Sequence, residues 1–211
     1  MDADPLSALA ECDTSLVSDA MDEHGLDGVV TGPSPAAPGH RAVGRARPLR
    51  FERARGEGTT NFPLAMLEAL AAGEVLVVRG VSPDLSCWGG QASKLAENAG
   101  VEGVVIDGGY RDIPEIREGA FPVFGRQPTP RSGQRRVRVA STDEAVTVDG
   151  VRVEPGDVVV ADATGVVVVP AEHEARVAES AADLRESESD LAERVAAGET
   201  FASIREDHEQ F

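Results

Sequence analysis

The sequence predicts an α/β fold, a mixed or barrel-like β core flanked by helices, and three observations carry that expectation. Helical and extended patterns alternate from residue 41 to residue 124, as in strands packed beneath helices. From Arg136 to Val169 short extended runs follow one another, separated by turn residues. The 211 residues, 41% hydrophobic and 27% charged, suffice for one domain with a substantial core.

The elements read as follows. Thr14 is placed to cap a helix that carries Leu16, Val17, Ala20 and Met21 on one side. Gly25 to Gly39, with Pro33, Pro35 and Pro38, reads as a loop. Residues 41–51 alternate between small or apolar residues and arginine, a strand pattern, and 61–72 reads as a helix ended near Gly73. Glu74–Val78 is a β-rich run stopped by Gly80. Trp88-Gly89-Gly90 opens a helix through Ala92, Leu95, Ala96 and Ala99 that Gly100 closes. Val104–Ile106 is a buried strand broken at Gly108-Gly109. Asp112–Glu118 is a short helix and Pro122–Phe124 a strand. Asp149-Gly150 and Pro155-Gly156 turn the later strands back on themselves. From about residue 171 a charged helical tail runs to Arg194, with a shorter helix after Gly198.

Charge excludes several function classes. The formal net charge is -17, which opposes binding to nucleic-acid phosphates or to an anionic membrane. Lys94 is the one lysine among 20 Lys+Arg. An acidic, lysine-poor surface suits a cytoplasm of high salt; codon bias with an acidic surface is the alternative. Cys12 and Cys87 form no disulfide framework and no CxxC site, and both are expected reduced and buried. No signal-like or membrane-length apolar run is present, so a cytoplasmic protein is expected.

The phosphate loop, the HExxH zinc motif and the GxSxG elbow are all missing. His24, His40, His173 and His208 stand apart and read as solvated surface groups. A Schiff-base aldolase needs a desolvated lysine, and Lys94 lies between Ser93 and Leu95 on a polar stretch. Carbanion chemistry here would need a metal ion as electron sink.

Chemistry concentrates between Trp88 and Glu115. Two helix starts each follow a glycine break. The amides of Gly89, Gly90, Gln91 and Ala92 can attract a carboxylate. Arg111 and Asp112 stand at the carboxyl end of a buried strand, where α/β sheets bind ligands. Arg111 offers a planar fork for a carboxylate or enolate. Asp112 is a hard oxygen donor for Mg²⁺ or Mn²⁺. Taken alone, Asp112-Ile113-Pro114-Glu115 reads first as a helix cap with proline in the first turn, and the functional reading rests on the pieces together.

Gly90, twenty intervening residues, Arg111-Asp112, two residues and Glu115 resemble the G-x20-R-D-x2-E/D signature of the RraA-like / 4-hydroxy-4-methyl-2-oxoglutarate aldolase family. Gly103-Val104-Val105-Ile106-Asp107-Gly108, Phe121–Phe124, Ser18-Asp19-Ala20, Pro155-Gly156-Asp157 and Ala161–Val166 are similar to the same family. The resemblance implies one domain over 1–211, of the swivelling α/β/α type. It implies a divalent-metal-dependent class II lyase that cleaves a 4-hydroxy-2-oxo acid to pyruvate and also decarboxylates oxaloacetate. In it the Gly89–Ala92 amides hold the pyruvyl carboxylate and Arg111 steadies the enolate. Asp112 anchors Mg²⁺ or Mn²⁺, with Glu115 behind the metal. It also implies a homotrimer or dimer of trimers with sites between subunits, and an acidic residue supplied by a neighbour. Members that regulate RNA-processing machinery resemble the same fold without catalysis, and can lack the aspartate after the arginine. This chain keeps Asp112. Asp162 is weighed as catalytic or as the cap of a turn in the core.

Overall fold

The computed structural model describes residues 4–54, 66, 69–200, 203 and 204. The helix expected over 61–72 and the one after Gly198 lie largely outside the described residues. Strands β1 (Val29–Val30), β2 (Ser34–Pro35), β3 (Ala42–Arg53), β4 (Glu74–Arg79), β5 (Ser86–Trp88), β6 (Gly103–Tyr110) and β7 (Val123–Pro128) are followed by β8 (Val137–Thr142), β9 (Val146–Val148), β10 (Val151–Val153), β11 (Val158–Ala161) and β12 (Val166–Val169). Helices α1 (Pro5–Ala10), α2 (Thr14–Asp22), α3 (Gly90–Asn98), α4 (Ile113–Glu118) and α5 (Glu174–Ala196) surround them.

Among the described residues ten strands form one mixed sheet, ordered β1-β12-β11-β3-β4-β6-β7-β2, with β5 on β6 and β8 on β3. The β3-β4-β6-β7 centre is parallel; β1, β2, β8, β11 and β12 join antiparallel. Strand β6 has neighbours on both edges, and all eight of its residues are buried. Its near-continuous apolar composition follows from that position. Pro48 sits within β3, where a missing N–H is costly; it falls between the stretches paired by β11 and by β8.

Side-chain alternation divides the core. Val75, Val77, Val105, Val159 and Ala161 meet Val146, Val148 and Val153 of the β9–β10 hairpin on the inner face. Leu76, Val78, Val104 and Ile106 point the other way, with Trp88, Ala96 and Ile116. On the antiparallel side Val158, Val160, Val167 and Val169 pack with Leu9, Val17 and Met21 and with Val177 and Ala181 of α5. The expected mixed β core with helices outside is present.

Several local expectations are corrected. Asp13, not Thr14, caps α2, its Oδ1 accepting from Leu16 N at 2.9 Å. Helix α1, capped by Asp4, precedes it and has no counterpart in the sequence reading. Gly108-Gly109 does not end β6. The strand shifts register between Ile106 and Gly109 and continues to Tyr110, because it still has β5 and β7 to pair with. His40 is buried, not solvated: Val123 N donates to its Nδ1 at 3.1 Å. The Asp149-Gly150 turn has positive φ at both residues, 50° and 91°, as a two-residue hairpin requires. Cys12 and Cys87 are free and buried.

Candidate functional site

Two strand-to-helix junctions lie side by side at the carboxyl end of the parallel strands. One leads from β5 through Gly89 into α3; the other leads from β6 through Arg111 and Asp112 into α4. The pairing of Trp88 with Tyr110 aligns them, and Arg111 N donates to Trp88 O at 3.1 Å. Trp88 is fixed in turn by donating to Ser93 Oγ at 2.9 Å and stacking on Phe121.

Asp112 occupies the N-cap position of α4 but does not cap it. Its backbone is left-handed, φ 61° and ψ 44°, and its side chain makes no bond to its own helix. An L-residue without a local hydrogen bond pays for this conformation, and such strain concentrates at functional sites. The left-handed turn carries the carboxylate across to the neighbouring junction. There Oδ2 accepts from Gly90 N at 3.2 Å and lies 3.4 Å from Arg111 Nε. The cap reading of Asp112 to Glu115 therefore fails as stated: the aspartate serves the first turn of α3, not of α4.

The glycines have a steric reason. A Cβ on Gly89 would stand 2.5 Å from Asp112 Oδ2 and 3.2 Å from Arg111 Cγ. A Cβ on Gly90 would stand 2.2 Å from Glu115 Oε2 and 2.9 Å from its Cβ. The spacing of Gly90, Arg111, Asp112 and Glu115 thus brings four positions into contact, and the first must lack a side chain.

Gly89 and Gly90, Arg111 and Asp112, and Glu115 come together as the sequence suggests. Gln91 and Ala92 follow in the first turn of α3, where backbone N–H groups lack intrahelical partners. Gln91 is exposed, whereas the Ala92 side chain packs on the core. One amide of the presumed carboxylate cradle, Gly90 N, is taken by Asp112. Lys94, set aside by the sequence reading as a Schiff-base lysine, lies 3.4 Å from Glu115 Oε2 and is exposed. An exposed, ion-paired ammonium is not a desolvated amine. Its place beside Glu115 was not legible because the two residues belong to different helices.

Two neighbouring groups are ruled out as nucleophiles by burial. The Cys87 thiol is pushed up to about 12 by desolvation, and Sγ approaches Gly109 O at 3.6 Å. Tyr110 is raised for the same reason, partly offset by Arg117.

Asp162 is engaged elsewhere. Its carboxylate accepts from Thr14 N at 2.8 Å, Thr14 Oγ1 at 2.7 Å and Thr164 N at 2.8 Å. Burial alone would raise its pKa, but these bonds bring it below the usual carboxylate range. It ties α2 to the turn after β11.

Among the described residues no three His, Cys, Asp or Glu side chains gather as a metal cluster. The donor set that a cation would meet is the half-buried Asp112 carboxylate, with Glu115 one helical turn on. One hard carboxylate with water in the remaining positions suits Mg²⁺, which dehydrates reluctantly. The residues present fit such an ion.

A parallel-centred sheet with paired glycine junctions and an Arg-Asp turn matches a known class. The family model "RraA-like: Aldolase/RraA" matches residues 14–168, and the chain belongs to that family. A Halalkalibacterium halodurans protein named "Putative 4-hydroxy-4-methyl-2-oxoglutarate aldolase" is 30% identical over 172 residues, 80% of this chain and 77% of the relative. Protein DlpA of Legionella pneumophila is 28% identical over 205 residues, 96% of this chain. The chain spans 33% of DlpA's length and its match 58% of a second curated relative. Among solved structures, Streptomyces coelicolor RraAS2, described as an unusual member of the RNase ES inhibitor RraA protein family, superposes with a TM-score of 0.81. It is 30% identical, over 91% of this chain and 97% of that one. No helix among the described residues is long and apolar enough to cross a membrane.

Proposed function

We propose that this chain is a divalent-metal-dependent carbon–carbon lyase, cleaving a 4-hydroxy-2-oxo acid to release pyruvate. Oxaloacetate decarboxylation passes through the same pyruvate enolate and belongs to the same proposal. The observation that carries the reading is the left-handed Asp112, whose carboxylate stands between the Gly90 amide and the Arg111 guanidinium.

Each residue has a task that its position supports. The first-turn amides of α3 orient the substrate carboxylate. Asp112 holds the cation, and Glu115, braced by Lys94, adds negative charge behind it. When bound, the divalent cation supplies Lewis acidity to the 2-oxo group. A solvent water acting as base takes the C4 hydroxyl proton, C4 becomes the carbonyl of the departing fragment as the C3–C4 bond breaks, and that bond's electron pair becomes the enolate of pyruvate. Arg111, half-exposed, is free to swing its remaining N–H groups onto that enolate. The enolate takes a proton at C3 to give pyruvate. Assembly into a trimer, or a pair of trimers, with a neighbour's acid completing the cation's shell, is part of this proposal.

The test is pyruvate release from a panel of 4-hydroxy-2-oxo acids and oxaloacetate, with Mg²⁺ in high salt. EDTA should abolish release, and Asp112→Ala should lower it by about 10²- to 10³-fold. Release indifferent to both would defeat the reading. The second reading, a protein-binding regulator, is favoured by the likeness to RraAS2 and by the net charge of -17. Stoichiometric capture of a ribonuclease partner without any turnover would establish it instead.

A further inference from the structure

A second polar cluster lies at the same end of the sheet, on its inner face. Asp107 of β6 is buried, 5% exposed, and both of its oxygens are engaged: Oδ2 by Arg79 Nη1 from β4, Oδ1 by Arg126 Nε from β7. Arg126 also donates through Nη2 to Asp149 Oδ1 at 2.9 Å. Asp149 Oδ2 accepts from Thr31 N at 3.2 Å and Thr31 Oγ1 at 2.7 Å. The Arg126 guanidinium is seated against Gly32, where a Cβ would stand 2.2 Å from Nη1. Beside this network opens a cavity of about 430 Å³, walled by Arg79, Ser82, Asp107, Arg126, Thr147 and Asp149.

A hydrogen-bond account of these walls decides what could fill the cavity. Both carboxylates have already spent their oxygens on protein donors. Among the described residues Arg79 has Asp107 as its single ion-pair partner and is half-exposed, so most of its five N–H donors remain. Thr147 adds a hydroxyl. The unspent capacity is donor capacity. Asp107 also holds two guanidinium forks in place from below, so an incoming ligand need not order them. The position lies at the carboxyl end of β4, beside Asp107 within β6, near where sheet ligands collect, and the volume is within the range of small-molecule sites.

We propose that this cavity is a second site, separate from Arg111 and Asp112, that takes a small oxyanion, the carboxylate or phosphate group of a metabolite, on Arg79. The ligand's oxygens accept from Arg79, with Thr147 also in the cavity lining. Arg126 and Asp107 are positioning residues that hold the fork. The two guanidiniums are balanced by Asp107 and Asp149, so the unspent N–H donors of Arg79, rather than a net positive charge, are what an anion would meet here.

Titration calorimetry on the metal-free full chain tests this with two probes, inorganic phosphate and malonate, which separate the two sources of the group. Binding of at least one probe should weaken about tenfold in Arg79→Gln, the loss of one charge-assisted hydrogen bond. The same probe should bind Arg111→Gln within about twofold of the parent, since the two sites are distinct. Arg79 is half-exposed at the end of β4, so the variant should fold, as thermal melting will report. Should it not, Thr147→Val, in the cavity lining, is read by the same criterion. No millimolar binding of either probe overturns the proposal. So does an affinity that Arg79→Gln, or its Thr147→Val substitute, leaves unchanged, or one that Arg111→Gln abolishes.

Discussion

Two aspartates follow strands of the same sheet and are used in opposite ways. Asp162 comes directly after β11, and three short hydrogen bonds of 2.7 to 2.8 Å bind it to Thr14 and Thr164. Asp112 comes two residues after β6. Its contacts are longer, 3.2 and 3.4 Å, and its backbone is left-handed. A carboxylate saturated by local donors is spent on the fold. One held loosely, in a conformation that costs energy, keeps capacity for a ligand. The difference is in partners, not in residue type or place at a strand end.

Exchanging the losses sharpens that contrast. Asp112→Ala should have the largest effect, the 10²- to 10³-fold fall in turnover already given, about 3 to 4 kcal/mol, with little change in melting temperature. Asp162→Ala should do the reverse. It leaves Thr14, at the start of α2, and Thr164 without their acceptor and should cost about 2 kcal/mol of stability by urea unfolding, leaving the KM for substrate unchanged. A variant pair with the two effects interchanged would break the comparison.

Gly90→Ala ranks next. The added Cβ meets not only the movable end of Glu115 but its Cβ, 2.9 Å away, so α4 must shift against α3. Turnover should fall about tenfold through misplacement of Arg111 and Asp112, since small displacements in a site are costly. Calorimetric Mg²⁺ binding should weaken alongside. Full activity in this variant would mean that the two junctions need not touch.

These cases show what the sequence made legible. The strands of the parallel centre, the hairpin at Asp149-Gly150 and the end of α3 at Gly100 follow from local chemistry: apolar runs, and glycine where φ is positive. The grouping of Gly90 with Arg111, Asp112 and Glu115 was legible only as a spacing, whose meaning is the contact between two junctions. What stayed hidden depends on partners far along the chain. His40 looked solvated because nothing near it in sequence reveals the Val123 amide it accepts from. Gly108-Gly109 looked like a break because a bulge flanked by strands on both sides shares its composition with a turn. Asp107 entered only as one position of the segment that resembles the family; its two arginines come from β4 and β7.

Asp149 gives the smallest and most pH-specific effect. Hydrogen bonds from Thr31, then from Arg126, hold its carboxyl down to about 2, below its ordinary value of 3.8. A carboxyl lowered on folding stabilises the native state wherever it is ionised in both states. The contribution is full above about 3.8 and is lost as pH falls toward 2. Asp149→Asn keeps an oxygen for Thr31 but gives up the charge that faces Arg126. It should therefore lower stability by about 1 kcal/mol at neutral pH, less than the whole shift would give because the side chain is partly solvated. The urea midpoints of parent and variant should draw together between pH 4 and pH 2, the interval that separates the two values. Comparing the two proteins at each pH cancels the titration of the other carboxylates. A gap that stays constant down to pH 2 would assign the loss to the shape of the hairpin turn, and would leave Arg126 anchored by Asp107 alone.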